Sequence, residues 1–102
     1  NYRQAATISA RGLEKNAGHA GLLNTHGMAL WALDEKTKAE GELKKAVVAD
    51  PRFDRPYLNL AGLLKELGKP GEAAGVLSAL LEAIPGHPQA SEMLRELQPG
   101  RP

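Results

Sequence analysis

Apolar residues recur at helical spacing along the whole chain, and no stretch alternates apolar and polar residues as a strand would. Ala and Leu dominate the apolar set, which favours helix over sheet. The pattern predicts an all-α protein. Six helices are expected, at about residues 2–15, 20–33, 36–49, 54–67, 70–83 and 88–97.

Short breaks separate the predicted helices, and most of them contain Gly, Pro, Asn or Asp. They lie at Asn16–His19, Asp34-Glu35, Asp50-Pro51, Gly68–Gly71 and Pro85–Pro88. Asp54 is predicted to be the N-cap of the fourth helix. Because the breaks are so short, successive helices are expected to be antiparallel neighbours. The sequence therefore predicts an array of helical hairpins.

The chain repeats itself at an offset of 34 residues, the distance between Pro51 and Pro85. The small residues Gly27 and Ala61 match at this offset, and small residues let helix axes approach closely. The other matched pairs are Leu23 and Tyr57, Leu30 and Leu64, Leu33 and Leu67, Ala39 and Ala73, Leu43 and Leu77, and Ala46 and Leu80.

This pattern resembles the tetratricopeptide repeat family, in which hairpins stack into a right-handed superhelix, an α-solenoid. The resemblance implies two complete repeats, Ala20–Phe53 and Asp54–His87. The family pattern is carried by Tyr57, Leu60 and Ala61 in a first helix, and by Ala39, Leu43, Ala46 and Pro51 in a second helix. His26 stands in place of the expected Leu, and Leu80 in place of a small residue.

The ends of the chain continue the resemblance. Residues 1–19 match the second helix of an incomplete preceding repeat, with Ala5, Ile8 and Leu13 as its apolar contacts. Residues 88–98 are expected to form a C-terminal capping helix, because Arg95 stands where the repeats have a small residue. Residues 99–102 are predicted to be a disordered tail. Since the chain starts at Asn1 and not at Met, we expect it to be part of a longer protein or a processed form.

A stack of this kind leaves an extended groove lined by the first helices, which suits a peptide or helix of a partner protein. The residues predicted to face it are Asn24, Met28, Trp31, Arg55, Leu58, Asn59, Gly62 and Lys65. Trp31, the only Trp, has two alternatives: it anchors a ligand in the groove, or it packs on the preceding helix near Ile8 and Ser9. Gly62 is expected to leave room for a ligand.

Some members of the family bind a partner's C-terminal carboxylate through Lys, Arg and Asn side chains of the inner helices. Asn59 matches one of these asparagines, and a structural role for Asn59 is equally open. The remaining positions of the motif hold Asn24, Met28, Gln89 and Met93. The required cations are missing, so the resemblance does not extend to this carboxylate clamp.

Charge and composition exclude several classes of function. The 102 residues carry 13 basic and 12 acidic side chains, scattered without the basic stripe that nucleic acids require. No apolar run approaches the roughly 20 residues of a membrane span, so direct membrane insertion is not expected. The absence of Cys rules out disulfides, and it suits a reducing cytoplasm without excluding the periplasm.

Candidate chemistry is sparse. His19 and His26 lie seven residues apart, but no carboxylate completes a metal-ligand set, and His26 is expected to be a hydrogen-bonded core histidine. The stretch Gly62–Lys69 lacks the spacing and the hydroxyl residue of a phosphate-binding loop. We therefore expect no cofactor, no metal and no enzyme activity in these residues.

Two functions remain open. The chain is predicted to be a protein–protein interaction scaffold that binds a partner through the groove. The alternative is the recognition or regulatory arm of a larger enzyme, such as a glycosyltransferase, a sulfotransferase or a peptidase, whose catalytic domain lies elsewhere. The identity of the partner and the oligomeric state are not indicated by the sequence.

Overall fold

A computed structural model describes residues 1–97 as six α-helices and no strand. The helices are α1 (Tyr2–Lys15), α2 (Ala20–Ala32), α3 (Lys36–Ala49), α4 (Asp54–Glu66), α5 (Pro70–Ala83) and α6 (Pro88–Glu96). All six predicted helices are confirmed, and α2, α4 and α6 each end one residue earlier than expected. The predicted tail, residues 99–102, lies outside the described residues.

The helices form an elongated stack of 47 × 26 × 18 Å. Each helix packs against the next one in the chain, and α2 also contacts α4. Contacts that link each hairpin only to the adjacent hairpins are typical of a solenoid, in which a continuous core runs along the stack.

Small residues mark the close crossings between helices. At Gly27 of α2, an added Cβ atom would lie 2.9 Å from Cγ of Leu43 on α3, closer than packed carbon atoms tolerate. At Gly12 of α1, a Cβ atom would lie 2.7 Å from Leu22 of α2. Fully buried leucines fill the core along the stack, namely Leu43, Leu60, Leu63, Leu64, Leu77 and Leu80.

The repeat extends to the backbone of the turns. Asp34, between α2 and α3, has a φ of 64°, and Gly68, between α4 and α5, has a φ of 75°. The two residues are 34 positions apart. Glycine adopts this left-handed conformation freely, and Asp is among the few other residues that tolerate it. Both hairpins therefore turn through the same backbone geometry despite different residues.

The helix starts show one correction to the sequence analysis. Asp54 is the first residue of α4 and not its N-cap, which is Phe53. The Asp54 carboxylate instead lies 2.8 Å from Nε2 of His87, at the start of α6. The prediction of an Asp54 cap was wrong because α4 begins at Asp54 itself, one residue earlier than a cap at this position requires. Histidine does cap two helices: Nδ1 of His19 accepts from the Leu22 amide, and Nδ1 of His87 accepts from the Ala90 amide.

Helix α1 packs on α2 through small side chains. Ser9 is only 1% exposed, and its hydroxyl donates to the carbonyl of Ala5 at 2.6 Å. It stands 34 residues before the buried Leu43. Ile8 was expected to make an apolar contact, but it is 66% exposed, since the face toward α2 is set by Ser9 and by residues three and four positions away.

Candidate functional site

Side chains of α2 and α4 meet where the first predicted repeat packs on the second, beside the larger contact between α3 and α4. The Asn59 side-chain amide donates to the Asn24 side-chain carbonyl at 3.0 Å. The Trp31 indole N–H donates to the Glu66 carboxylate at 2.7 Å. Cη2 of Trp31 lies 3.5 Å from the position that a Cβ atom would occupy on Gly62. Four of the residues predicted to face the groove therefore contact one another across this junction.

These contacts decide the position of Trp31. Its ring lies over Gly62 of α4, so the alternative of packing on α1 near Ile8 and Ser9 was wrong. The expectation that Gly62 leaves room for a ligand was also wrong, because Trp31 fills that space. A glycine on α4 and a large ring on α2 are complementary in shape, and close packing brings them together. Trp31 remains partly exposed.

A pocket of about 570 Å³ opens between α1 and α2. Its lining residues are Tyr2, Ala5, Asn24, Thr25, Met28, Ala29, Trp31 and Ala32. None of them carries a charge, and Tyr2 and Met28 are 63% and 36% exposed. The pocket thus offers an open, mostly apolar surface with a few hydroxyl and amide groups, a composition typical of a binding site.

The predicted groove residues divide into three groups. Asn24, Met28 and Trp31 line the pocket. Leu58, Asn59 and Gly62 are half-buried on α4. Arg55 and Lys65 are exposed at either end of α4, and within residues 1–97 neither forms an ion pair.

Several lining residues were missed by the sequence analysis: Tyr2, Ala5, Thr25, Ala29 and Ala32. Glu66, the acceptor for Trp31, was missed as well. The signal that could have found them is the repeat itself. Thr25 and Ala32 stand 34 residues before Asn59 and Glu66, which contact α2.

Glu66 also joins α4 to α3. Lys36 Nζ lies 3.4 Å from the Glu66 carboxylate and 3.5 Å from that of Asp34. The negative charge of Glu66, together with its hydrogen bond, raises the pKa of Lys36 above its usual value, and Asp34 adds to the effect. The Glu66 carboxylate therefore contacts both the Trp31 indole and the Lys36 ammonium group.

The other candidate chemistry has a structural explanation. Nδ1 of His26 lies 3.1 Å from the Glu42 carboxylate on α3, which confirms the expected hydrogen bond of a partly buried histidine. Within residues 1–97, no group of three or more His, Cys, Asp or Glu side chains is placed to bind a metal ion. None of the described helices combines the length and apolar character needed to cross a membrane.

Comparison with known proteins finds matches among solved structures. No family model and no curated protein sequence matches the chain. The second TPR domain of human RPAP3, solved with an HSP70 peptide, superposes with a TM-score of 0.82 at 24% identity, covering 94% of this chain and 80% of that one. This chain has the tetratricopeptide-repeat fold.

Other solved tetratricopeptide-repeat structures agree. The TPR domain of Arabidopsis OM64 has a TM-score of 0.82 at 21% identity, over 94% of this chain and 79% of that chain. The Yersinia enterocolitica type III secretion chaperone SycD, in complex with a peptide of the translocator YopD, has a TM-score of 0.83 at 19% identity, over 94% and 79%. Helix α2 packs against α3 and α4 packs against α5, and these are the pairs that the repeat register predicts as the two complete hairpins.

Proposed function

We propose that this chain is a protein–protein interaction scaffold that binds a peptide or helix of a partner through the surface of its first helices. One observation carries the proposal. The uncharged pocket of about 570 Å³ includes Asn24, Met28 and Trp31, the three residues of the first repeat that the repeat register directs into the groove. A surface with an aromatic side chain, an adaptable Met and adjacent amides has the composition of a peptide-binding hot spot.

The structural neighbours support the mode of binding. The human RPAP3 domain was solved with an HSP70 peptide, and SycD with a YopD peptide. From these neighbours we infer peptide binding for this chain, but not which peptide it binds. A carboxylate clamp is not part of it, because uncharged side chains, such as Met28 and Gln89, stand at its cation positions, and Asn59 donates to Asn24.

We assign binding, and not catalysis, to residues 1–97. The pocket is lined by small, apolar and amide side chains and carries no acid, base or cation within the described part of the chain. No observation on these residues favours the recognition arm of a larger enzyme over the scaffold. The extended, open surface suits a peptide better than a small substrate that needs enclosure.

The proposal is tested by selecting peptides against the intact chain from a displayed library. Binding is then mapped by chemical shifts of the amide and indole resonances. We expect the largest shifts at Asn24, Met28 and the Trp31 indole. Met28→Lys should weaken the selected peptides by about tenfold or more, because it adds a charge to an uncharged surface. Val48→Lys is the matched control, since Val48 is 79% exposed on α3. Selected peptides that shift only α3 and α5 would contradict the proposal.

A further inference from the structure

Side chains from three helices meet at one end of the contact between α2 and α4. The Trp31 indole N–H donates to Oε2 of Glu66 at 2.7 Å, and Lys36 Nζ lies 3.4 Å from the same oxygen. Cη2 of Trp31 lies over Gly62, 3.5 Å from the position of an added Cβ atom. The indole is therefore held at two separate points, at its nitrogen by Glu66 and at its ring edge by Gly62.

The repeat does not require this arrangement. The residues 34 positions away from Trp31, Glu66 and Lys36 are Lys65, Ala32 and Pro70. Alanine and proline have no side-chain group that could take part in such a network. The buried core of the same helices does follow the repeat, as in the matched pair Leu30 and Leu64. The network of Trp31, Glu66 and Lys36 is thus an addition to the fold, at the edge of the proposed binding surface.

The orientation of Trp31 matters for binding because its ring is part of that surface. Trp31 is partly exposed and lines the pocket together with Asn24 and Met28. A side chain on the surface exchanges between rotamers unless its contacts hold it in one of them. The apparent affinity for a ligand falls with the fraction of molecules in the binding-competent orientation. A contact that fixes the ring therefore strengthens binding without touching the ligand.

We infer that Glu66 is a positioning residue of the proposed binding surface, which fixes the Trp31 ring as a contact for an apolar side chain of the partner peptide. The inference rests on the proposed function and names one feature of its ligand. The indole has a single donor, and that donor is already bonded to Glu66, so the ring offers only carbon atoms to a ligand. An apolar side chain covers such a surface without leaving a polar group of its own unpaired.

Lys36 supports Glu66 in this role. Its ammonium group lies between two carboxylates, 3.4 Å from that of Glu66 and 3.5 Å from that of Asp34. The side chains of Lys36 and Glu66 are 37% and 46% exposed, so the ion pair itself adds little to stability. Its consequence is geometric, since a carboxylate held by the lysine presents the same oxygen to the indole. Loss of Lys36 should therefore loosen Trp31 less than loss of Glu66 does.

Spectroscopy of Trp31 tests the positioning before any ligand is added. Trp31 is the only tryptophan, so the indole emission and the indole N–H resonance report on it alone. Glu66→Ala removes the acceptor, and alanine already stands at the equivalent position of the first repeat, Ala32. We expect an upfield shift of the indole proton and about twofold stronger quenching by acrylamide. Glu66→Gln retains a carbonyl acceptor and should restore most of both signals, and Lys36→Met should give intermediate values.

Binding is measured by fluorescein anisotropy with a peptide selected from the library on the intact wild-type chain. Glu66→Ala should weaken its binding by about three- to tenfold, and Glu66→Gln by less than about twofold. Glu82→Ala, which removes an exposed carboxylate from α5, is the matched control and should leave the affinity unchanged. Trp31→Phe keeps a ring but has no indole N–H, so Glu66→Ala should have no further effect in that background.

An alanine scan of the peptide then identifies the side chain that packs on Trp31. It belongs to the residue whose replacement abolishes the difference in affinity between the wild type and Glu66→Ala. We expect that residue to be apolar.

The inference is overturned if Glu66→Ala leaves the indole resonance and the quenching unchanged, or if it weakens the peptide equally in the Trp31→Phe background. A charged or polar residue found by the alanine scan would overturn it as well. A peptide that binds the wild type and Glu66→Ala equally, while thermal melts show both folded, would overturn the inference and leave the proposed function standing. If no peptide binds the chain, both are removed.

Discussion

His87 and Asp54 join the start of α6 to the start of α4. Nδ1 of His87 accepts from the Ala90 amide at 3.2 Å, so its proton lies on Nε2, which donates to the Asp54 carboxylate at 2.8 Å. The His87 side chain is only 8% exposed. One imidazole thus caps a helix with one nitrogen and binds the neighbouring repeat helix with the other.

A double-mutant cycle should therefore detect coupling between these two residues. We expect His87→Ala to lower the free energy of unfolding by about 1–3 kcal/mol, since it removes a cap and a partly buried hydrogen bond. Asp54→Ala should lower the free energy of unfolding by about 1 kcal/mol. The coupling energy between the two substitutions should be at least about 0.5 kcal/mol. Urea denaturation measures all three values. His19→Ala, which removes a cap alone, is the control, and strictly additive effects of Asp54→Ala and His87→Ala would contradict the bond.

Two glycines should respond to the same substitution with opposite sign. Gly27→Ala places a Cβ atom 2.9 Å from Leu43 and should destabilise the chain by about 1–3 kcal/mol. At Gly41 on the exposed side of α3, an added Cβ atom meets nothing within 4 Å, so Gly41→Ala should stabilise by about 0.5–1 kcal/mol. Denaturation midpoints that move in the same direction would refute the close crossing of α2 and α3.

Glu40 should make stability depend on acid pH. Its carboxylate lies 2.7 Å from Lys44 and 3.3 Å from Lys69, and the hydrogen bond from Lys44 is the main cause that lowers its pKa below the usual 4.5. Because the folded state holds the proton less tightly, this stabilisation is present above pH 4.5 and is lost as pH falls through the lowered pKa.

The variant Glu40→Gln removes this pH dependence. At pH 7 it should be less stable than the wild type by about 1 kcal/mol, a value limited by the exposure of both lysines. The difference should shrink as the pH falls below 4.5, where the wild-type carboxyl group also becomes neutral. Unfolding free energies measured across this pH range test the prediction. A difference that stays constant at every pH would show that the charge of Glu40 is not responsible.

The role of α6 as a capping helix stays a prediction, and Ala90 offers a way to test it. Ala90 is fully buried against the core, so Ala90→Lys should detach α6 and cost about 2 kcal/mol or more. Detachment would expose leucines of α5, with increased binding of a hydrophobic dye and aggregation on heating. Gln89→Lys, one residue earlier and exposed, is the matched control. Equal stability, dye binding and aggregation of the two variants would contradict a capping role for α6.

The helix positions and the repeat register were predictable because both depend on residues that are close together in the sequence or recur at a fixed spacing. Apolar spacing places α1 through α6, and the breaks at Gly68 and Gly86 mark turns independently of the rest of the chain. The offset of 34 residues placed Gly27 and Ala61 at equivalent crossings, and both are buried. His26 replaces the Leu of the family pattern, and its hydrogen bond was also predictable, since a polar group that faces the neighbouring helix requires a partner.

The sequence by itself determined the class of fold, the hairpin order and the first helices that carry the candidate surface. The tertiary structure alone decided which side chains meet across the junctions. Trp31 lies on Gly62 and Asp54 bonds to His87 because stacking brings together residues from different helices, at distances and angles that no local pattern encodes. For the same reason the pocket between α1 and α2 depends on how these two helices pack, which no local pattern encodes.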